Sequence, residues 1–232
     1  MKLGMWKDFL SLFVSTSCYG CERELTTQEN CICLNCYSQI ERTYFEATPL
    51  ENELYMRVAG RVPLEGATSL FYYDKKGRLQ RLIQELKYKD APQLGIAMGE
   101  YMAAQLKTSP ILRGLEGIVP VPLHWRRKIQ RGYNQAERIA KGMGDQLGIP
   151  VIEHKLVRVG GTATQTTKQK GERFSNVANR FKLKEDLPQR ILLVDDIITT
   201  GSTIEACARS ILAHQPSAEI RIASIGMARK HI

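Results

Sequence analysis

The sequence has no apolar run fit to cross a membrane: none of its 232 residues lies in a stretch approaching the roughly 18 uncharged apolar positions of a spanning helix. It has no low-complexity tract either, so no segment is set aside from a folded core on composition alone. The opening, MKLGMWKDFLSLFVSTSC, lacks the apolar centre of a secretory leader. Lys7 and Asp8 interrupt it and leave only about six apolar positions, and Ser-Thr-Ser before Cys18 is not a lipobox. Leu3, Trp6, Phe9, Leu10 and Phe13 instead fall at helical spacing, which predicts an amphipathic helix and a cytoplasmic protein. GxGxxG is absent, and no Lys-Ser or Lys-Thr follows the glycine turn near the C-terminus, which excludes a dinucleotide fingerprint and a P-loop. What is present, 43% hydrophobic and 25% charged residues, suits one globular domain of ordinary size with room for a small appended module.

The net charge of +9 predicts a polyanionic partner, and the charge is concentrated. Residues 124–141 hold Arg126, Arg127, Lys128, Arg131, Arg138 and Lys141 against Glu137 alone, a net of +5. Residues 155–186 hold eight Lys or Arg against Glu172, Glu185 and Asp186, again +5. These two segments exceed the charge of the whole chain, so a localised anion site is expected rather than lysine spread for solubility.

Five of the six cysteines crowd into CYGCERELTTQENCICLNC. Cys18-x2-Cys21 and Cys33-x2-Cys36 are the paired turns that aim four thiolates at one point, predicting a closed structural Zn²⁺ site. Disulfides or a redox pair are the competing reading, disfavoured in a reducing compartment. Gly20 eases the first turn over the metal. Cys31 is a spare that could replace Cys33 only by giving up the CxxC geometry, and Cys207 reads as core.

Behind this module (residues 1–45) a weakly periodic connector (46–65) leads to a domain over 66–232. ATSLFYYD reads as a strand, then helices follow on the Leu79, Leu82, Ile83, Leu86 stripe and over 95–106. GIVPVPL is a strand held near an edge by Pro120 and Pro122. A helix over 134–147 ends at Gly148, and IPVIEHKLVRV is extended. RILLVDD is the clearest strand, followed by a helix carrying Ile204, Cys207, Ala208, Ile211 and Leu212, and EIRIASIGM closes the chain. Strands alternating with helices predict an α/β fold with a mostly parallel, doubly wound sheet, whose ligands sit beyond the carboxyl ends of the strands.

There, ILLVDDIITTGST sets Asp195 and Asp196 before a turn of Thr199, Thr200, Gly201, Ser202 and Thr203. The turn opens a helix, with Ser202 expected as its N-cap and Glu205 as capping-box partner. Free amides at such a turn cradle one phosphate, and hydroxyls add donors. Vicinal carboxylates suit a ribose diol, directly or around Mg²⁺. A 5′-phosphorylated ribose has both features.

This stretch resembles the PRPP-binding signature of type I phosphoribosyltransferases. With the four-cysteine module, ELKYKD (85–90) and VPVPLHWRRKIQRGYNQAERIA (119–140), nearly the whole chain resembles the ComF family of competence proteins, ComFC type. The resemblance implies a phosphoribosyltransferase-like domain in which Asp195 and Asp196 bind ribose hydroxyls and Mg²⁺, and the residues from Thr199 to Thr203 hold the 5′-phosphate. A loop over 124–132, with Arg126, Arg127, Lys128 and Arg131, would take pyrophosphate, and GGTATQTTKQKGERFSN would be a lid. It also implies a cytoplasmic factor for DNA uptake in natural transformation, peripheral to the membrane import machinery. Its expected partners are the competence helicase of the same operon, single-strand handling proteins and single-stranded DNA. Trp125 and Tyr133 among the arginines suit single-stranded DNA by stacking. The alternative is an active phosphoribosyltransferase acting on an unidentified base. Against a purine acceptor, Thr199 stands where 6-oxopurine enzymes of this fold carry an aspartate. The same basic loops serve either reading, and no catalytic residue is legible.

Overall fold

The computed structural model describes residues 17–159 and 180–229. The expected N-terminal helix and the expected lid over 160–176 lie outside the described residues. Four strands, β1 (Ala67–Tyr73), β2 (Gly117–Pro120), β5 (Arg190–Ile198) and β6 (Glu219–Ala228), form a parallel sheet in the order β1-β6-β5-β2. Two short strands, β3 (Leu156–Arg158) and β4 (Phe181–Leu183), pair antiparallel as a separate ribbon, so the extended segment after Gly148 touches the main sheet only at its start, where Val151 bridges Ile118 of β2, and then leaves it. The proline-rich β2 is the last strand of this sheet, paired on its outer side only by the short Val151 bridge, a place where missing amide donors cost least.

A parallel sheet is covered on both faces, and β5 shows why an unbroken apolar run is needed. Ile191 and Leu193 join one core with Val119, Ile220 and Ile222, while Leu192 and Val194 join the other with Ile118, Ala223 and Ile225. The first core is closed by α2 (Glu53–Ala59) and α7 (Ser202–His214). The second is closed by α3 (Arg78–Tyr88), α4 (Pro92–Leu106) and α6 (Gln135–Leu147). Two glycines set how closely α4 and α6 cross: a Cβ at Gly99 would lie 2.1 Å from the Ile139 carbonyl oxygen, and one at Gly142 2.1 Å from that of Ile96.

The cysteine turns, with the short helix α1 (Leu34–Ser38), share this second core. Cys18, Cys33 and Cys36 belong to the same buried cluster as Phe71 and Leu82, and the Tyr37 ring stacks on Tyr101 with centroids 4.0 Å apart.

Several elements differ from expectation. Inside the supposed connector lies α2, whose start is fixed by Asn52: its Oδ1 accepts the Tyr55 N–H at 2.9 Å. The supposed loop over 124–132 contains the two-turn helix α5 (Trp125–Arg131), closed by Gly132 in the left-handed region. β5 does not stop at the aspartates but runs through them to Ile198. Helix α4 begins at Pro92 rather than at 95, because proline fits a first helical turn. Gly201, not Ser202, is the N-cap of α7, and Glu205 is engaged elsewhere.

Candidate phosphoribosyl site and cysteine cluster

Asp195 pairs in register with Ser224 on β6, so the sheet itself fixes the backbone of the acidic pair. Asp195 Oδ1 accepts the Asp196 N–H at 2.9 Å, and Asp196 Oδ1 accepts the Ile197 N–H at 2.7 Å. Asp196 Oδ2 lies 2.5 Å from Lys87 Nζ, an ion pair with both side chains largely buried. Burial, then the neighbouring Asp196 carboxylate, pushes the Asp195 carboxyl well above its ordinary range, while Lys87 opposes that push. Lys87 reaches the pair because the end of α3 is fastened: the Tyr133 hydroxyl donates to the Leu86 carbonyl at 2.5 Å. Tyr133 is therefore buried, and it is not the stacking surface expected of it.

The turn after β5 is bracketed from α2. Arg57 Nη1 donates to the Thr199 carbonyl at 2.5 Å and to the Ala228 carbonyl at 2.7 Å. Arg61 Nη2 donates to the Thr200 carbonyl at 2.7 Å, and its Nη1 pairs with Glu205 at 2.8 Å. With those carbonyls turned to the arginines, Thr199, Thr200, Ser202 and Thr203 stay exposed while Gly201 is buried. The Thr200 and Ser202 hydroxyls lie 2.9 Å apart, available to one ligand.

The four basic residues expected to take phosphate have different surroundings on α5. Lys128 pairs with Glu137 at 3.1 Å, Arg131 donates to Gln135 at 2.9 Å and lies over the Tyr88 ring, and Arg126 lies over Trp125. Arg127 instead acts on Arg158 of β3, whose acidity is raised first by burial and then by the positive charges of Arg127 and Arg180, while Asp195 pulls the other way. Among the described residues none of these three arginines has an ion-pair partner. Trp125 and Tyr88 are 54% and 66% exposed, in contrast to the buried Tyr133. The rest of RGYNQAE is fastening: Asn134 donates to the Val121 carbonyl at 2.9 Å and accepts the Ala136 N–H.

Sequence reading missed Lys87, Arg57, Arg61, Arg158 and Arg180. Lys87 sat within ELKYKD, but nothing local shows that it meets Asp196. Asn52 with Glu53 was the available sign of a helix start that places Arg57 in α2, while Arg61 lies in the turn just past its Gly60 cap.

The Sγ atoms of Cys18, Cys21, Cys33 and Cys36 lie within 4.8 Å of one another, a cluster consistent with a metal site. Cys18–Cys36 and Cys21–Cys33 are each 3.7 Å apart, close to the roughly 3.8 Å edge of a sulfur tetrahedron with metal–sulfur bonds of about 2.3 Å. All six cysteines are free thiols, and Cys31 lies outside the cluster. The amides of Gly20 and Cys33 donate to Cys18 Sγ, that of Cys36 donates to Cys33 Sγ, and Arg78 donates to Cys36 Sγ at 3.4 Å. Donors of this kind favour thiolates and orient them. A Cβ on Gly20 would fall 2.7 Å from Cys36 Sγ.

Residues 130–230, from the end of α5 through the acidic pair to β6, match the phosphoribosyl transferase domain family. Competence protein F of Haemophilus influenzae is 30% identical over 210 residues, 85% of this chain and 91% of the relative. DNA utilization protein YhgH of Escherichia coli K12 is 29% identical over 144 residues, covering 60% and 63%. Competence protein ComFC of Bacillus subtilis is 31% identical over 105 residues, covering 44% and 41%.

Proposed function

The chain belongs to the ComF competence-protein family, with its phosphoribosyltransferase domain, and from that premise we propose that it is an accessory protein of DNA uptake built on a scaffold that holds a phosphorylated ribose. The ribose hydroxyls meet the Asp195–Asp196 pair, and the 5′-phosphate lies in the turn formed by Thr199, Thr200, Gly201, Ser202 and Thr203. The observation that carries the reading is the exposed turn from Thr199 to Thr203, held by Arg57 and Arg61 directly after the acidic pair, with Arg158 of β3 feeling the positive charges of Arg127 and Arg180 as well as the charge of Asp195. Like charge beside the half-buried Arg158 is costly, and an anionic ligand offsets that cost. PRPP supplies such charge through its pyrophosphate, and single-stranded DNA supplies it through its backbone. The exposed Trp125 and Tyr88 offer DNA bases two stacking faces beside the arginines, which favours DNA as a ligand of this rim. The cysteine cluster holds Zn²⁺ as a structural ion: four thiolates close the tetrahedron and leave no place for water. Among the described residues no helix is long and apolar enough to cross a membrane. The place of action is the cytoplasmic side of the import machinery, with the competence helicase and single-strand handling proteins as partners. The three arginines also favour a second reading, an active phosphoribosyltransferase, since they would neutralise a departing pyrophosphate.

Fluorescence anisotropy with a labelled oligothymidylate tests the DNA arm. Trp125→Ala and Tyr88→Ala should each weaken binding about tenfold, on the order of 1–3 kcal/mol per stacked base. Arg127→Ala should also flatten the salt dependence by about one ion. Binding indifferent to all three would contradict it.

A further inference from the structure

The acidic pair has already been given a cation. Of its four carboxylate oxygens, Asp195 Oδ1 and Asp196 Oδ1 accept backbone amides, and Asp196 Oδ2 carries the Lys87 ammonium at 2.5 Å. Asp196 Oδ2 has no hydrogen bond beyond that ion pair, and Asp195 Oδ2 has neither hydrogen bond nor ion pair among the described residues. Mg²⁺ requires near-octahedral oxygen ligands at about 2.0–2.1 Å and gives up water reluctantly. One free oxygen, with an ammonium on the next carboxylate, does not fit that demand. Nor is Lys87 a loose surface cation: it projects from the last turn of α3, which the Tyr133–Leu86 hydrogen bond fastens to the segment leading into α6.

We propose that Lys87 is the resident cation of this site, so that the acidic pair binds a ribose diol directly, through Asp195 Oδ2, with no divalent ion held by the protein. The proposal rests on the phosphoribosyl reading above and narrows it. The ligand class is a 5-phosphorylated ribose whose recognition does not depend on a protein-bound metal. Any Mg²⁺ that arrives with PRPP rides on the ligand's own pyrophosphate. Lys87 is a positioning residue: it neutralises Asp196 and leaves Asp195 as the single acceptor.

Ribose 5-phosphate separates these alternatives, because it lacks the pyrophosphate that chelates Mg²⁺. Calorimetric titrations would be run in resin-treated buffer with and without Mg²⁺; a strong soluble chelator is avoided, since it would attack the cysteine cluster. The native protein should bind with affinities equal within about twofold in the two media. Lys87→Met, which keeps the stem and removes the charge, should lose at least tenfold without Mg²⁺ and regain most of it with Mg²⁺. A tenfold dependence on Mg²⁺ in the native protein would overturn the proposal. Mn²⁺ titration followed by electron paramagnetic resonance needs no ribose and no variant. The native protein should leave the free Mn²⁺ signal undiminished, whereas Lys87→Met should acquire one site that Asp195→Asn abolishes. A native Mn²⁺ site that Asp196→Asn removes would refute the assignment even if Lys87→Met failed to fold. Absence of ribose 5-phosphate binding in both media would overturn the phosphoribosyl reading itself, and the Mn²⁺ result would then judge Lys87 separately.

Discussion

Gly201 concentrates at one position what the turn after β5 requires. Its φ of +78° is left-handed, and a Cβ there would lie 2.8 Å from both Arg61 Nη2 and Val58 Cγ2. A side chain would cost roughly 1–2 kcal/mol in backbone strain and would also push away the arginine that brackets the Thr200 carbonyl. Gly132 offers a control, with a φ of +76° and nothing within 4 Å of the same virtual atom. Gly201→Ala should therefore destabilise by about 1 kcal/mol more than Gly132→Ala, about 2–4 °C of additional loss in Tm for a protein of this size. Equal losses in thermal melts would show that Arg61 and Val58 do not confine the turn. At this scale the sequence was informative where chemistry is local. The CxxC turns, the acidic pair and the glycine turn were all legible. Lys87 and Tyr133 were not, because what decides their roles is a contact across the fold: an ammonium on Asp196 in one case, a hydroxyl on the Leu86 carbonyl in the other.

Among the elements, the α4–α6 crossing is the tightest approach that glycines set. Gly99 faces a backbone carbonyl at a distance no Cβ can occupy, and a backbone atom cannot swing aside as a side chain can. Gly99→Ala should cost about 3 kcal/mol or more by forcing the helices apart, read from denaturant midpoints. Unchanged stability would mean that the two helices slide without penalty. Periodicity found these helices because their stripes are long, and it found β5 because a doubly buried strand is apolar throughout. It missed α2 and α5, which are only seven residues each, too short for a stripe to repeat. It stopped β5 at the aspartates because a charge ordinarily ends a buried strand, whereas here Lys87 makes Asp196 tolerable inside one. Ser202 looked like a cap from its side chain alone, but the bend before α7 is made by Gly201, and Arg61 and Arg209 both occupy Glu205.

Across the whole molecule, the cysteine cluster and the α/β domain are one packed body rather than two beads. Cys18, Cys33 and Cys36 are buried with Leu79, Leu82 and Met98, and Arg78 joins α3 to Cys36. Stripping a metal from the thiolates should therefore lower the Tm of the entire protein, in one calorimetric transition, by the equivalent of several kcal/mol. A low-temperature transition of its own, with the main melt unmoved, would contradict the shared core. The charge distribution belongs to this scale too. The net charge of +9 gathers partly on α5 and the β3–β4 ribbon, and Arg158 of that ribbon feels both the positive charge of Arg127 and the negative charge of Asp195 at the end of β5. That edge is the centre of the functional account. Calorimetric titration of the purified protein with PRPP and Mg²⁺, repeated on the Asp195→Ala/Asp196→Ala double variant, tests it most directly. The account predicts micromolar binding to the native protein and its loss, by at least about thirtyfold, in the variant (roughly 2 kcal/mol for the lost diol contacts). Binding of equal strength to both proteins, or none to either, would contradict it.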